Sequence, residues 1–143
     1  MRRFIAIVVI AAAGLTACGG GAASIAPLPI ASSTPIASST PTIVSISGDD
    51  ALKFTPAQVA AKPGDVVTFR VTTTGVLPHA FMVGPKEAVD ANSAAGTAVI
   101  EHIAAGETKE VSFTFGTTGA YTFACHIPGH FEAGMKGVIT LTP

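Results

Sequence analysis

Cysteine, basic clusters and long apolar runs are all scarce in this 143-residue sequence. Cys18 and Cys125 are the only cysteines, so no more than one disulfide can form within the chain. Lys and Arg form no run longer than the pair Arg2 and Arg3, and they total 8 against 9 Asp and Glu. This balance argues against a nucleic-acid-binding protein. The apolar run at residues 4–13 is far short of the roughly 20 residues that a membrane-spanning helix needs.

The first residues have the layout of an export signal. Arg2 and Arg3 precede the apolar run, and LTAC follows it at residues 15–18. A charged region, a short apolar region and a small-residue cleavage site are typical of a secretory signal peptide. Because LTAC also resembles a bacterial lipobox, we expect residues 1–17 to be a lipoprotein signal peptide and Cys18 to be lipidated. An ordinary signal peptide cut elsewhere is the alternative. Either reading predicts export, and lipidation predicts anchoring to the outer face of a bacterial membrane, in the periplasm or at the cell surface.

The segment after Cys18 has the composition of a tether. Residues 19–42 contain PIASST twice in tandem and no charged or aromatic residue. Such a segment cannot build a hydrophobic core. We therefore expect residues 18–42 to connect a lipidated cysteine to one domain at residues 43–143. Six Lys and Arg and all nine Asp and Glu follow residue 17, so the exported chain has a formal charge of −3.

The C-terminal hundred residues have the pattern of an all-β domain. Short runs rich in Val, Ile, Phe and Thr, such as VVTFRVTTT and KEVSFTF, are separated by Gly, Pro or Asp. Several alternate with a period of two, which is typical of strands. KPGD at residues 62–65 favours a turn. The sequence predicts a Greek-key β-sandwich or barrel of about eight strands, with a short helix only within residues 86–95.

One stretch concentrates soft metal donors. CHIPGHFEAGM places Cys125, His130 and Met135 at five-residue intervals. If Cys18 carries lipid, Cys125 is an unpaired thiol in an oxidising compartment, and metal ligation is a physical reason to retain it. Two imidazoles, a thiolate and a weak axial thioether form an electron-transfer copper site. His79, in LPHAFMV at the start of a predicted strand, is the best candidate for the second imidazole.

These segments resemble the cupredoxins, the plastocyanin and azurin family of blue copper proteins. AYTFACHIPGHFEAGMKGVI and PHAFMVG are similar to the metal-binding segments of the family, and AKPGDVVTF is similar to its third-strand entry. The resemblance covers residues 43–143 and implies one type 1 copper ion. It implies His79, Cys125 and His130 as equatorial ligands and Met135 as the axial ligand. The lipobox and tether resemble the membrane-tethered auracyanins.

One position departs from the family pattern. Plastocyanins and azurins commonly have Asn after the first ligand histidine, whereas this chain has Ala80. We therefore expect no side-chain hydrogen bond between the two ligand segments at this position. Of the remaining candidates, His102 and His126 are expected at the surface, and Met82 is expected in the core because it lies on the opposite strand face from His79.

The expected function is one-electron transfer by copper cycling between Cu(I) and Cu(II). We expect redox proteins as electron donor and acceptor, a monomer, and brief docking at the apolar residues around His130, which are Leu77, Pro78, Pro128, Gly129, Phe131 and Ala133. Copper delivery or storage is the alternative, although the chain has no Met-rich or His-rich tract. An enzyme is not expected, because a second copper site would need more histidines than the two left over.

Overall fold

The computed structural model describes residues 42–143, which form nine strands and one short helix. The predicted signal peptide, Cys18 and nearly all of the predicted tether lie outside these residues. No helix among residues 42–143 is long and apolar enough to cross a membrane. The elements are β1 (Thr42–Asp49), β2 (Lys53–Thr55), β3 (Gln58–Ala61), β4 (Val66–Thr73), β5 (His79–Pro85), α1 (Lys86–Asp90), β6 (Ala98–Ile103), β7 (Thr108–Thr114), β8 (Tyr121–Ala124) and β9 (Lys136–Leu141).

The strands form two sheets, which confirms the predicted all-β sandwich. One sheet has the order β2-β1-β4-β7, and the other has the order β3-β9-β8-β5-β6. The pairs β1–β4 and β3–β9 are parallel, and the other pairs are antiparallel. The strand count is nine rather than about eight, because KFT and QVAA pair with different sheets and form separate short strands.

The core lies between the two sheets and is rich in phenylalanine. Residues of β4 alternate between buried and more exposed positions, as the period-two pattern predicts. Phe81 of β5 contacts three other rings, with centroid distances of 5.6 Å to Phe54 and 5.4 Å to both Phe69 and Phe123. Phe69, Phe81 and Phe123 are completely buried. The rings therefore pack β5, which begins with His79, against strands of both sheets.

Strand pairing brings the two predicted ligand segments to one end of the sandwich. Strands β5 and β8 are antiparallel neighbours, with Met82 opposite Ala124. The start of β5 at His79 therefore lies beside the end of β8, where Cys125 follows. Helix α1 lies within the range predicted for it, and its Val89 packs with Met82 and Ala124 on the outer face of this sheet. This packing confirms Met82 as a core residue.

Candidate metal centre

Cys125 is held at the end of β8 by main-chain contacts. Its amide donates to the carbonyl oxygen of Met135 at 3.0 Å. Its Sγ is completely buried and accepts a hydrogen bond from the Ala80 amide at 3.2 Å. Burial raises the pKa of the Cys125 thiol, and the amides of Ala80 and Ile127 oppose that shift. A thiolate at this position therefore benefits from a nearby cation.

The loop from Cys125 to Met135 folds back on itself. The His130 amide donates to Ile127 O at 2.9 Å, and the Met135 amide donates to His130 O at 2.9 Å. Gly129 and Gly134 adopt φ values of 86° and 91°, which other residues rarely tolerate. These two glycines precede His130 and Met135, and they turn the loop so that its donor residues lie next to each other.

Three donor atoms from two segments converge. The Nδ1 atoms of His79 and His130 are 3.4 Å apart, and His130 Nδ1 lies 3.5 Å from Cys125 Sγ. The donor atoms of all three residues lie within 4.8 Å of one another. Both of the shorter distances are less than twice the ~2.0–2.3 Å separation of a metal from nitrogen or sulfur. The residues therefore fit a single ion, and their donor types suit copper.

Met135 borders the same cluster. Its side chain is completely buried. A Cβ atom added to Gly48 of β1 would lie 3.0 Å from Met135 Cε and 3.0 Å from His79 Cδ2. The methionine methyl group and the imidazole are therefore neighbours above the same glycine. The structure thus brings together His79, Cys125, His130 and Met135, the four residues singled out in the sequence.

The His79 imidazole is completely buried, and its Nδ1 atom is the nitrogen that faces His130. Burial is the main cause that lowers the pKa of the His79 imidazole, and His130 lowers it further, while Asp50 and Asp49 act in the opposite direction. The ring therefore favours its neutral state, which is the state that coordinates metals.

Exposed apolar residues flank the half-buried His130 in the sequence and also precede His79. Leu77 is 41% exposed, and Pro78, Pro128, Gly129 and Ala133 are exposed, whereas Phe131 is half-buried and packs against Met82, Val89 and Ala124 on the outer sheet face. The sequence analysis missed Val76, whose 79% exposure is the highest among the large hydrophobic residues that the structure describes as exposed. Its position after Gly75 in the turn TTGVLP was the available signal. We call the six exposed residues Val76, Leu77, Pro78, Pro128, Gly129 and Ala133 the apolar collar.

The expectation for His126 was wrong. This histidine is half-buried, and its Nε2 atom is enclosed without a hydrogen-bond partner in the described part of the chain. Strand alternation does turn it away from Cys125, but the ring of Phe131 covers that face, stacking at 4.8 Å with an interplanar angle of 17°. His102 is exposed, as predicted.

Known proteins are similar to this chain in sequence and in fold. Residues 42–142 match the family "Copper binding proteins, plastocyanin/azurin family". The copper-resistant cuproprotein CopI of Rubrivivax gelatinosus is 32% identical over 107 residues, which cover 68% of this chain and 65% of that protein. The chloroplastic plastocyanin of Physcomitrium patens is 38% identical over 100 residues, covering 69% and 56%. The chain therefore spans less than two thirds of the length of these relatives. An auracyanin B structure matches with a TM-score of 0.62 and 26% identity, covering 73% of this chain and 92% of that one.

Proposed function

Because this chain belongs to the plastocyanin/azurin family of copper-binding proteins, we propose that it is a one-electron carrier with a single type 1 copper site. When bound, copper supplies the exchange of one electron between Cu(I) and Cu(II). The observation that supports the proposal most strongly is the convergence of two imidazole nitrogens and one thiol sulfur, from the buried His79 and Cys125 and the half-buried His130, beside a buried thioether. Few other ions use this mixture of donors.

We assign the ligand roles from donor chemistry. His79, Cys125 and His130 would hold the copper ion as its three strong ligands, and the Met135 thioether would be the weaker axial ligand. Hydrogen bonds hold the loop before any ion binds, because the Met135 carbonyl accepts from Cys125 and the Met135 amide donates to the His130 carbonyl. Donors held in this way move little between two oxidation states, which keeps the reorganisation barrier of electron transfer low.

The apolar collar is the proposed docking surface. Its residues belong to the two segments that carry His79 and His130, and the half-buried His130 imidazole is the proposed path for electrons between the buried centre and the exterior. An exposed apolar surface of this kind favours contact with another protein. A small interface dissociates quickly, so the collar suits brief encounters with an electron donor and then an acceptor. No such step requires an enzyme activity of this chain.

The N-terminal residues supply the proposed location. We propose that residues 1–17 are removed on export, that Cys18 is lipidated, and that residues 18–42 tether the copper domain of residues 43–143 to the outer face of a membrane. Tethering would keep the domain concentrated near membrane-bound redox partners. Mass spectrometry of the protein purified from a bacterial membrane checks this: a diacylglyceryl mass on Cys18 is expected, and an N-terminus elsewhere contradicts it.

The visible and EPR spectra of the Cu(II)-loaded protein test the function. An intense red-absorbing thiolate-to-copper band, narrow copper hyperfine splitting and reversible bleaching by ascorbate are expected. A pale protein with ordinary tetragonal copper features would contradict a type 1 site. The apoprotein provides the baseline for both spectra.

Copper storage or delivery is the second candidate, favoured by the similarity to a protein named copper-resistant cuproprotein CopI. The buried Cys125 and Met135 favour retention of the ion over exchange. The two functions differ in the rate of metal loss. Rapid removal of Cu(I) by a competing chelator would favour delivery, whereas slow removal with reversible redox cycling favours electron transfer.

A further inference from the structure

The loop before His79 is attached by hydrogen bonds to the end of β1 and to Asp50, which follows it. The Thr74 amide and hydroxyl both donate to Gly48 O, at 2.8 Å and 3.1 Å. The Asp50 carboxylate accepts from the Val76 amide at 2.9 Å and from the Leu77 amide at 3.0 Å. The next residue, Pro78, has no amide hydrogen to donate. The loop from β4 to His79 is thus held at its first residue and again shortly before His79.

Gly75 makes this arrangement possible. A Cβ atom at position 75 would lie 2.0 Å from Asp50 Oδ1, so any side chain there would displace the carboxylate. The amides of Leu77 and Val76 also hold the pKa of the Asp50 carboxyl below its usual range. Asp50 is therefore ionised at neutral pH, and its carboxylate can approach the loop because residue 75 is glycine. We call Asp50 together with the Val76 and Leu77 amides the Asp50 clamp.

We propose that Asp50 is a positioning residue of the copper site, which orients His79 through the loop and favours Cu(II) through its charge. The proposal rests on the copper site proposed above. Only Pro78 lies between Leu77 and His79, and its ring restricts the backbone there. Movement at Leu77 is therefore transmitted to the His79 backbone, and from there to an imidazole that faces His130.

The charge acts on the same residue. The Asp50 carboxylate accepts a hydrogen bond from the Leu77 amide, and Leu77 is separated from His79 only by Pro78, so this negative charge is held close to the metal centre. A fixed negative charge stabilises the more positive oxidation state of a nearby ion more than the less positive one. Asp50 therefore lowers the reduction potential of the bound copper. The Asp50 clamp therefore has two separable effects. One is on the orientation of His79, and the other is on the reduction potential of the bound copper.

Three variants separate these effects. Asp50→Asn removes the charge but keeps a carbonyl oxygen that can accept an amide hydrogen bond. Gly75→Ala keeps the charge and displaces the carboxylate from the loop. Asp65→Asn is the matched control, because its carboxylate also accepts an amide hydrogen bond in a turn, from Lys62. Asp65 lies at the far end of β4, about eight strand residues or ~26 Å from the clamp.

The copper-loaded variants are compared by potentiometry and by visible and EPR spectra. We expect a higher reduction potential in Asp50→Asn with a spectrum close to wild type. We expect altered band intensities and hyperfine splitting in Gly75→Ala. Asp65→Asn should keep both the reduction potential and the spectra of wild type. A potential shift in Asp50→Asn no larger than that of Asp65→Asn would overturn the charge effect. A wild-type spectrum in Gly75→Ala would overturn the positioning effect.

Amide hydrogen exchange in the metal-free protein tests the clamp without copper. The Val76 and Leu77 amides are expected to exchange faster in Gly75→Ala than in wild type or Asp65→Asn, and equal rates would overturn the clamp. If circular dichroism shows that Gly75→Ala does not fold, Asp50→Ala replaces it in the spectroscopic comparison and in the exchange comparison. If wild-type protein shows no type 1 spectrum, the proposed function fails, whereas the exchange comparison still decides whether the clamp exists.

Discussion

Gly48 is the position where one added methyl group tests the packing of the metal centre. Its Cβ in an alanine variant would lie 3.0 Å from both Met135 Cε and His79 Cδ2. Carbon atoms in contact prefer about 3.5–4.0 Å, so each of these two side chains must move by roughly 0.5–1 Å or the strand must shift. Gly48→Ala therefore perturbs two of the proposed ligands at once.

The expected loss of stability follows from two opposing effects. Replacing a strand glycine by alanine gains about 0.5–1 kcal/mol from the reduced entropy of the unfolded chain. Inserting a methyl group into a packed core costs about 1–3 kcal/mol. The midpoint of the packing cost exceeds the midpoint of the entropy gain, so Gly48→Ala should lower the free energy of unfolding by about 1 kcal/mol. For a domain near 100 residues this lowers Tm by roughly 4–8 °C.

Thermal unfolding of the metal-free protein measures this change, and the spectra of the copper-loaded protein report the ligand shift. Ser45→Ala is the control, because Ser45 is exposed on the opposite face of β1, and surface changes usually stay within about 0.5 kcal/mol. A Gly48→Ala protein that melts at or above the wild-type temperature and keeps its spectrum would refute the packing argument.

Four further predictions concern the metal centre and the collar. Cys125→Ser should lose the intense visible band, because the charge transfer needs sulfur; a coloured variant would remove Cys125 from the ligand set. Met135→Leu should keep the colour and raise the potential, since the lost thioether stabilises Cu(II); an unchanged potential would exclude an axial role. Val76→Asp should slow electron self-exchange measured by NMR line broadening, because it puts like charges into the contact between two molecules, while Val66→Asp, at the start of β4, should not. Finally, the folded-state pKa of His79 lies below its ordinary value of 6.5. In the metal-free protein, the neutral His79 imidazole should therefore make its full contribution to folding stability above about pH 6.5. That contribution is lost as the pH falls from there through the lowered pKa. The free energy of unfolding measured with urea should depend less on pH in His79→Gln than in wild type. An equal dependence would contradict the assignment of this pH effect to His79.

The sequence predicts those parts of the centre that depend on local spacing. Cys125, His130 and Met135 lie on one loop, and their intervals together with Gly129 and Gly134 indicate how that loop folds. Period-two alternation predicts the sandwich, because burial on one face of a strand is a local property. It also places Met82 correctly on the face opposite to the metal centre.

Other parts depend on strand pairing, which alternation does not specify. Gly48 and Asp50 reach the loop before His79 because β1 pairs in parallel with β4, with Gly48 opposite Thr73. A shift of one residue in this register would turn Gly48 away from the core. His126 shows the same limit, because alternation gives its direction but does not reveal that Phe131 covers it.

Ala80 explains how the two ligand segments stay together without the asparagine that was expected from the family pattern. The Ala80 amide donates to Cys125 Sγ at 3.2 Å, so the main chain of one ligand segment contacts the sulfur of the other. The Asp50 clamp holds the same segment from the other side of His79 through two further amides. Main-chain donors have less conformational freedom than side chains, so these contacts lose less entropy when they form. A centre held mainly by backbone amides can therefore remain rigid even though the side chain at position 80 is only a methyl group.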